Sequence, residues 1–305
     1  MTLPSSLKSL NLSMSSPVLR TVFSSASPFT ALEELLIIEC SELETFPDCI
    51  GDLLPCLRNL TIRNFTLPSN FGHLPTLKLL ALEGLRFTEF PPSFCHLMSL
   101  EALSIVDCNE LLQLRAGFCR LTALKALCLS SLRVDISHLS QLRVLKLNCV
   151  GVICGPAGSS RLSCLQQLEQ LEMRLDRGSQ ELPVPLTLMF LPRLRSLLIE
   201  APGMCNLSGN LGAALPQLRQ LTLFLRSSEE LPGSIAELNS LTSLRVNAPL
   251  LTSLPQGMSR LSRLRKLELI HCHSLQHLPE SLTQLHQLIL QYTPISSLPA
   301  GLRLI

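Results

Sequence analysis

The residues with the most obvious capacity for chemistry are His271, Cys272, His273 and His277, within the segment HCHSLQH. Imidazole and thiolate groups are common zinc ligands, but zinc needs about four of them converging at tetrahedral geometry. Cys272 occupies an apolar position of a pattern that recurs along the chain, so its thiol is expected to be buried. The flanking histidines should then point away from it. We therefore predict that this segment holds no metal ion.

Catalytic and phosphate-binding motifs are also missing from the sequence. Neither G-x-S-x-G nor H-E-x-x-H occurs, and with 12 Cys and 7 His a chance Cys/His pair carries little information. The glycine-rich segment GPAGSSR at residues 155–161 lacks the lysine of a phosphate-binding loop, G-x-x-x-x-G-K-[ST]. The irregularly spaced cysteines are interpreted as reduced thiols packed as small apolar groups. We predict a protein that is not an enzyme and that binds no cofactor.

The composition excludes several further classes of protein. Of the 305 residues 74 are leucine, 46% are hydrophobic and only 16% are charged, which is incompatible with a disordered chain. The 25 Lys+Arg are nearly balanced by 23 Asp+Glu, and the basic residues form no continuous run. Nucleic acid is therefore not expected as a partner. The sequence does not begin with a basic segment followed by an apolar one, as a secretory signal would. It also contains no uninterrupted apolar stretch long enough to span a membrane. We predict a cytoplasmic protein with no membrane partner.

The elements that position all these residues come from an internal repeat. The pattern L-x-x-L-x-[LIVM] recurs thirteen times, at steps of 18 to 26 residues with a mean of about 23. The first leucine of each copy is called the starting leucine. The starting leucines are Leu7, Leu32, Leu57, Leu77, Leu100, Leu124, Leu142, Leu168, Leu194, Leu218, Leu241, Leu264 and Leu285.

Each copy of the pattern predicts a strand followed by a return leg. The last two apolar residues are two positions apart and therefore point to one side of a strand. A leucine or phenylalanine followed by proline, such as Leu231-Pro232, comes 13 or 14 residues after most starting leucines. Proline ends strand pairing because it has no N–H. The apolar residues that follow at three-residue spacing predict a short 3₁₀ or helical turn with one buried face.

One such unit is too small to fold by itself, so neighbouring units must stack. We predict an α/β solenoid with a curved parallel β-sheet on its concave face and short 3₁₀, helical or irregular return legs on its convex face. Residues 1–305 are expected to form a single domain of about thirteen repeats, with an incomplete repeat at the C-terminus. Neither end shows a polar cap, so self-association through the ends is also expected.

Three segments carry a resemblance to a known family: LIIECSELETFP (36–47), LSIVDCNELLQL (103–114) and LELIHCHSLQHLP (267–279). They resemble the leucine-rich-repeat region of plant intracellular nucleotide-binding disease-resistance proteins. LPGSIAELNSL and LPESLTQLHQL are similar to the same repeats. The resemblance covers nearly the whole chain, but the nucleotide-binding motif of the complete receptors is missing, so a repeat-only relative, a truncated product or a fragment is expected.

The resemblance implies a protein–protein recognition module in plant-type immune signalling. The alternative is an intracellular scaffold or regulatory subunit for a signalling enzyme such as a kinase, phosphatase or ubiquitin ligase. In both cases the partner is a protein, which is expected on the concave side of the sheet. Positions four and six residues after each starting leucine point to that side, called here the open face. The predicted protein-binding residues at these positions are Arg63, Glu83, Lys146, Glu172, Arg174, Glu200, Phe224, Arg245 and Glu268.

A second feature is the residue directly after each starting leucine, which is basic in eight of thirteen repeats. Stacking should align these residues into a row about 5 Å apart, called here the ridge. The ridge could dock an acidic partner. We favour the other interpretation, a solvated edge whose long side chains cover apolar surface. The eight basic residues are Lys8, Arg58, Lys78, Lys125, Arg143, Arg195, Arg219 and Arg265.

Overall fold

The structure is a computed structural model, and it divides into two compact units, residues 1–142 and residues 143–305. The single domain over residues 1–305 stays a prediction. The described residues are 4, 6–13, 27–39, 50–64, 73–108, 110–111, 118, 121–130, 139–149, 162, 164–175, 190–203, 210–280 and 282–299. The glycine-rich segment 155–161 and the final residues 300–305 lie outside them.

The first unit contains six strands that pair in parallel and in chain order. The register is in phase, because each strand residue pairs with the residue at the same repeat position of the next strand. The strands are β1 (Ser9–Ser13), β2 (Glu34–Ile38), β3 (Asn59–Arg63), β4 (Leu79–Glu83), β5 (Ala102–Val106) and β6 (Ala126–Ser130).

The second unit continues the same arrangement with seven parallel strands in chain order. All thirteen strands begin two residues after a starting leucine, as the repeat predicts. The strands are β7 (Val144–Cys149), β8 (Gln170–Leu175), β9 (Ser196–Glu200), β10 (Gln220–Phe224), β11 (Ser243–Asn247), β12 (Lys266–Ile270) and β13 (Gln287–Gln291).

The core of each unit is built from the apolar positions of the repeat. The starting leucines are buried, except for the half-buried Leu7. The two inward strand residues of most repeats are also buried, as at Leu267 and Leu269 in β12. In β13 the equivalent Leu288 and Leu290 are only half-buried. The predicted solenoid with a parallel sheet is therefore confirmed.

The return legs are short and are built on three-residue steps. They include two helical turns, α1 (Ile50–Leu53) and α2 (Leu211–Ala214), and three 3₁₀ turns, η1 (Pro92–His96), η2 (Gly233–Glu237) and η3 (Met258–Arg260). In η2 the N–H of Ile235 donates to the Pro232 carbonyl, and the N–H of Leu238 donates to Ile235. The same step then leads from Leu238 to the starting Leu241. Each third residue is thus turned toward the core, which explains the leucine spacing.

The strands end at a backbone conformation that the repeat pattern did not predict. Six residues that lie seven positions after a starting leucine have φ between 49° and 66°. Only one of them is glycine, although this left-handed region disfavours other residues. The chain leaves the strand here, but the backbone N–H can still donate a hydrogen bond to the next strand, as the N–H of Asn64 does to the Glu83 carbonyl. The six residues are Glu39, Asn64, Gly84, Asp107, His271 and Tyr292.

Candidate functional site

The nine predicted protein-binding residues all lie on strands, at positions that alternate with the buried core residues. Arg63 and Glu83 belong to the first unit, and the other seven belong to the second. The in-phase register places like positions of successive strands side by side, about 4.8 Å apart. The structure gathers the nine residues into one pair and two clusters.

In the first unit, Arg63 and Glu83 form a closed ion pair across β3 and β4. The Arg63 Nε lies 2.6 Å from the Glu83 Oε2. Both side chains remain partly exposed, so the pair contributes little to stability. Its charges offset each other, which leaves the surrounding open face without net charge at this point.

The adjoining open face of β4 to β6 carries no charge apart from Glu83, and sequence reasoning missed it as a surface. The predicted binding residues lie four and six positions after a starting leucine. The residue two positions after a starting leucine points to the same side of the strand. The uncharged residues are Leu79, Ala81, Ala102, Ser104, Val106, Ala126 and Cys128, all at least partly exposed.

In the second unit, strands β7 to β9 carry a cluster centred on Glu172. Nε and Nη2 of Arg174 lie 2.7 and 2.6 Å from the Glu172 Oε1, and Nζ of Lys146 lies 3.3 Å from its Oε2. Glu200 is more distant, with its Oε2 3.8 Å from the Arg174 Nε. Two cations and two carboxylates are thus joined in one electrically neutral network.

A second cluster lies on β10 to β12 around Glu268, whose side chain is 11% exposed. Nζ of Lys266 contacts one carboxylate oxygen at 2.7 Å, and Nη1 of Arg245 lies 3.6 Å from the other. The guanidinium carbon of Arg245 lies 5.9 Å from the centre of the Phe224 ring. This distance is at the outer limit of a cation–π contact. The cluster combines two cations with one carboxylate.

The ridge contains acidic residues between its basic ones. In the first unit, Glu101 pairs with Lys78 at 3.0 Å and with Lys125 at 2.8 Å. These two ammonium groups, with the hydrogen bond from Lys125 contributing most, lower the pKa of Glu101 from 4.5 to about 2. In the second unit, Glu169 lies 3.7 Å from Arg143 and 3.8 Å from Arg195. These pairs support the interpretation of the ridge as a solvated edge.

The histidine segment is arranged as the sequence predicted. Cys272 is fully buried, and burial raises the pKa of its thiol above the ordinary value of 9.0. The ring of His271 stacks on Tyr292 at 4.6 Å, and its centre is 5.7 Å from that of His273. Among the described residues, no group of three or more His, Cys, Asp or Glu is placed to hold a metal ion.

Burial also governs Cys108, which occupies the same repeat position as Cys272. Desolvation raises the pKa of the Cys108 thiol, whose sulfur lies 3.4 Å from the Val106 carbonyl oxygen. A thiol of raised pKa is a poor nucleophile at neutral pH. The two cysteines therefore act as core residues.

In the part of the chain that the structure describes, no helix has the length and apolar character needed to cross a bilayer.

Comparison with curated proteins gives two plant relatives of similar identity. The chain is 29% identical over 239 residues to Protein SUPPRESSOR OF npr1-1, CONSTITUTIVE 1 of Arabidopsis thaliana, covering 76% of the chain and 16% of that protein. It is 28% identical over 254 residues to TMV resistance protein N of Nicotiana glutinosa, covering 80% of the chain and 20% of that protein. The chain thus spans a fifth or less of the length of these relatives.

A solved structure and a family profile agree with the fold. The TLR13–ssRNA13 complex matches with a TM-score of 0.64 at 21% identity, over 95% of this chain and 47% of the other. At this identity the match shows the fold. A profile that describes a leucine-rich repeat region matches residues 6–208, which is about two thirds of the chain. The chain therefore belongs to the leucine-rich-repeat family, and one of the two plant relatives above is named as a resistance protein.

Proposed function

We propose that the chain is a protein-recognition module of plant-type immune signalling, which binds a partner protein through the open face of its sheet. It acts by binding, without catalysis, in the cytoplasm. The observation that carries the proposal is the row of charged and aromatic side chains held by paired strands in the second unit, from Lys146 to Glu268. The relatives named above support the signalling context.

The physical basis is that strands fix side chains better than loops do. Parallel strands in phase hold each open-face side chain at a set distance from its neighbours, so little conformational entropy is lost when a partner binds. Arginine and aromatic residues are also enriched at the energetic centres of protein interfaces. The open face of the second unit provides Arg174, Arg245 and Phe224 in this way.

The test is affinity purification from plant cells of the tagged chain and of three charge-reversal variants. Lys146→Glu and Arg174→Glu alter the open face, and Arg219→Glu is a matched control on the ridge. Circular dichroism checks that each variant folds. We expect at least one partner that is lost with the open-face variants and kept with the control.

The identity of the copurified protein decides the signalling context. A pathogen effector or a nucleotide-binding switch domain would support the immune role. A kinase, phosphatase or ubiquitin ligase would favour a scaffold for a signalling enzyme instead. Partners that are unchanged in both variants, and also in a further variant, Arg245→Glu on β11, would refute binding through this face.

A further inference from the structure

We propose that Leu198, Thr222, Phe224 and Arg245 form the energetic centre of the open face and bind a protein segment that presents an apolar side chain next to a carboxylate. These four residues are called here the β9–β11 slot. The proposal rests on the proposed function, because it names the part of the open face that recognises the partner and the chemistry of that partner.

The first step is that the charges on β7 to β9 are already satisfied by one another. Glu172 receives Arg174 through two nitrogens and Lys146 through a third, and only 18% of its side chain is exposed. A partner that used Arg174 or Lys146 would have to separate them from this carboxylate. Because the network is also neutral, it offers little attraction to an incoming charge.

The charge of Arg245, in contrast, is less closely paired, because its nearest carboxylate contact with Glu268 is 3.6 Å long. Its guanidinium has five N–H donors, yet the 3.6 Å distance to Glu268 is too long for a hydrogen bond. Its Nε is a buried nitrogen without a hydrogen-bond partner in the described part of the chain. Lys266 holds Glu268 at 2.7 Å and offsets its charge. Arg245 therefore keeps both positive charge and unused donors, while 43% of its side chain remains exposed.

The second step is that an uncharged surface adjoins Arg245. Thr222 pairs in register with Leu198 on one side and with Arg245 on the other. Phe224 lies two residues beyond Thr222 on the same side of β10 and under the Arg245 guanidinium. All four residues are half-buried. The slot therefore joins a leucine, a threonine methyl group and an aromatic ring to one available guanidinium.

This combination defines the chemistry of the occupant. An apolar side chain over Leu198 and Phe224 would bury surface that water now covers. A carboxylate beside it would pair with the guanidinium of Arg245, which matches carboxylate geometry better than an ammonium does. A basic segment is disfavoured, because the cluster of Arg245, Lys266 and Glu268 already has two cations for one carboxylate. The occupant is thus an acidic protein segment with an apolar anchor.

The probe for this proposal is a random linear peptide library displayed on phage and selected on the immobilised full chain. We expect enrichment of peptides in which an aromatic or large aliphatic residue lies within two positions of Asp or Glu. A selected peptide is then synthesised, together with a version that carries the amide in place of the carboxylate. Affinities are measured by calorimetry for the wild type and for Phe224→Ala, Arg245→Gln, Arg174→Gln and Arg219→Gln.

Arg245→Gln should weaken binding of the acidic peptide about tenfold or more, as the loss of a charge-assisted pair implies. It should barely change binding of the amide peptide, so that the double-mutant cycle is strongly non-additive. Phe224→Ala should weaken both peptides by about tenfold. Arg219→Gln, which removes an exposed arginine from the ridge, should leave both affinities unchanged. Circular dichroism confirms the fold of each variant.

Three outcomes would overturn the proposal. Selection of basic peptides, or of no common sequence, would show that the slot lacks the stated preference. A larger loss at Arg174→Gln than at Arg245→Gln would move the centre to β8, and binding through the open face would still stand. Loss only at Arg219→Gln would refute both the slot and the proposed function, because binding would then occur at the ridge.

Discussion

The stacking of repeats can be tested with one leucine substitution made in two neighbouring strands. Leu267 in β12 and Leu288 in β13 occupy the same repeat position and pair in register. Leu267 is fully buried between Leu244 of β11 and Leu288, whereas Leu288 is half-buried. A Leu→Ala change removes the same atoms at both sites. The two sites therefore differ mainly in how many neighbours surround the cavity that is left.

The expected magnitudes follow from this difference in burial. Replacing a fully buried leucine with alanine costs about 2–5 kcal/mol of the free energy of unfolding, because transfer and cavity terms add. We expect Leu267→Ala to fall in this range. For Leu288→Ala we expect about 1–2 kcal/mol, since the removed atoms are already partly exposed to water. Ile289→Ala, on the open face of β13, should change stability by less than about 0.5 kcal/mol.

Urea unfolding followed by circular dichroism gives the change in stability of each variant. Repeat proteins depart from two-state behaviour, so hydrogen exchange with mass spectrometry should accompany it. Leu267→Ala should speed exchange in β11, β12 and β13 together, and Leu288→Ala mainly in β13. An equal or greater loss of stability from Leu288→Ala would refute the argument that each rung is stabilised by burial between its two neighbours.

Two further predictions concern titration. Because Lys125 and Lys78 hold the pKa of Glu101 at about 2, its carboxylate stabilises the fold above pH 4.5 and this contribution is lost as the pH falls through about 2. Glu101→Gln should therefore lower the melting temperature at pH 7 in low salt, and calorimetry should show the difference vanish near pH 2; a constant difference would contradict the pairing. Because burial raises the pKa of Cys108 and Cys272 above 9.0, stability should fall as the pH rises beyond this value. Iodoacetamide at pH 8 should label these two thiols only after unfolding, with the exposed cysteines as internal controls, and labelling in the folded protein would contradict burial.

The strands could be predicted from the sequence because leucine spacing sets both the buried face of each strand and the residue at which the strand begins. Residues two apart on a strand share a face, so a shift of one residue would move Leu267 and Leu269 from the core to water. The starting leucine adds a third fixed point, since its N–H closes the turn that leads into the strand, as at Leu264 and Leu261. Apolar positions that satisfy both conditions leave one register, and the strands within each unit adopt it.

The ends of the strands could not be predicted in the same way. In six repeats the residue seven positions after the starting leucine adopts positive φ, whether it is Gly84, Asn64 or Tyr292. The residues at this position in the repeats of β8 to β11 do not adopt it. Glycine would signal this conformation in a sequence, but the other side chains do not. At Gly84 the reason for glycine is local, since a Cβ there would lie 2.2 Å from the Asn64 Oδ1. At Glu39 and His271 the N–H donates to a carbonyl of the next strand, and this hydrogen bond offsets the local preference against positive φ.

The sequence also could not predict which charged side chains on the open face pair with one another. Arg174 and Glu200 are 26 residues apart, as are Lys146 and Glu172, and spacing alone does not say that Arg174 lies closer to Glu172 than to Glu200. The outcome depends on side-chain reach between strands about 4.8 Å apart. Sequence reasoning treated Arg174 and Arg245 as equivalent candidates. The structure separates them, because Arg174 is hydrogen-bonded to Glu172, whereas Arg245 lies 3.6 Å from Glu268 and its Nε has no hydrogen-bond partner in the described part of the chain.

The repeat constrains the two sides of the sheet unequally, and this asymmetry explains which conclusions the sequence could support. Core positions must be apolar in every rung, so their pattern identifies the fold. Open-face positions have no such requirement, and they range from the uncharged Ala81, Ala102 and Ala126 to the charged Lys146 and Glu172. Recognition must therefore be carried by residues that the repeat leaves free. For such residues the useful quantity is the hydrogen-bonding capacity that each side chain has left unused, as at the Nε of Arg245.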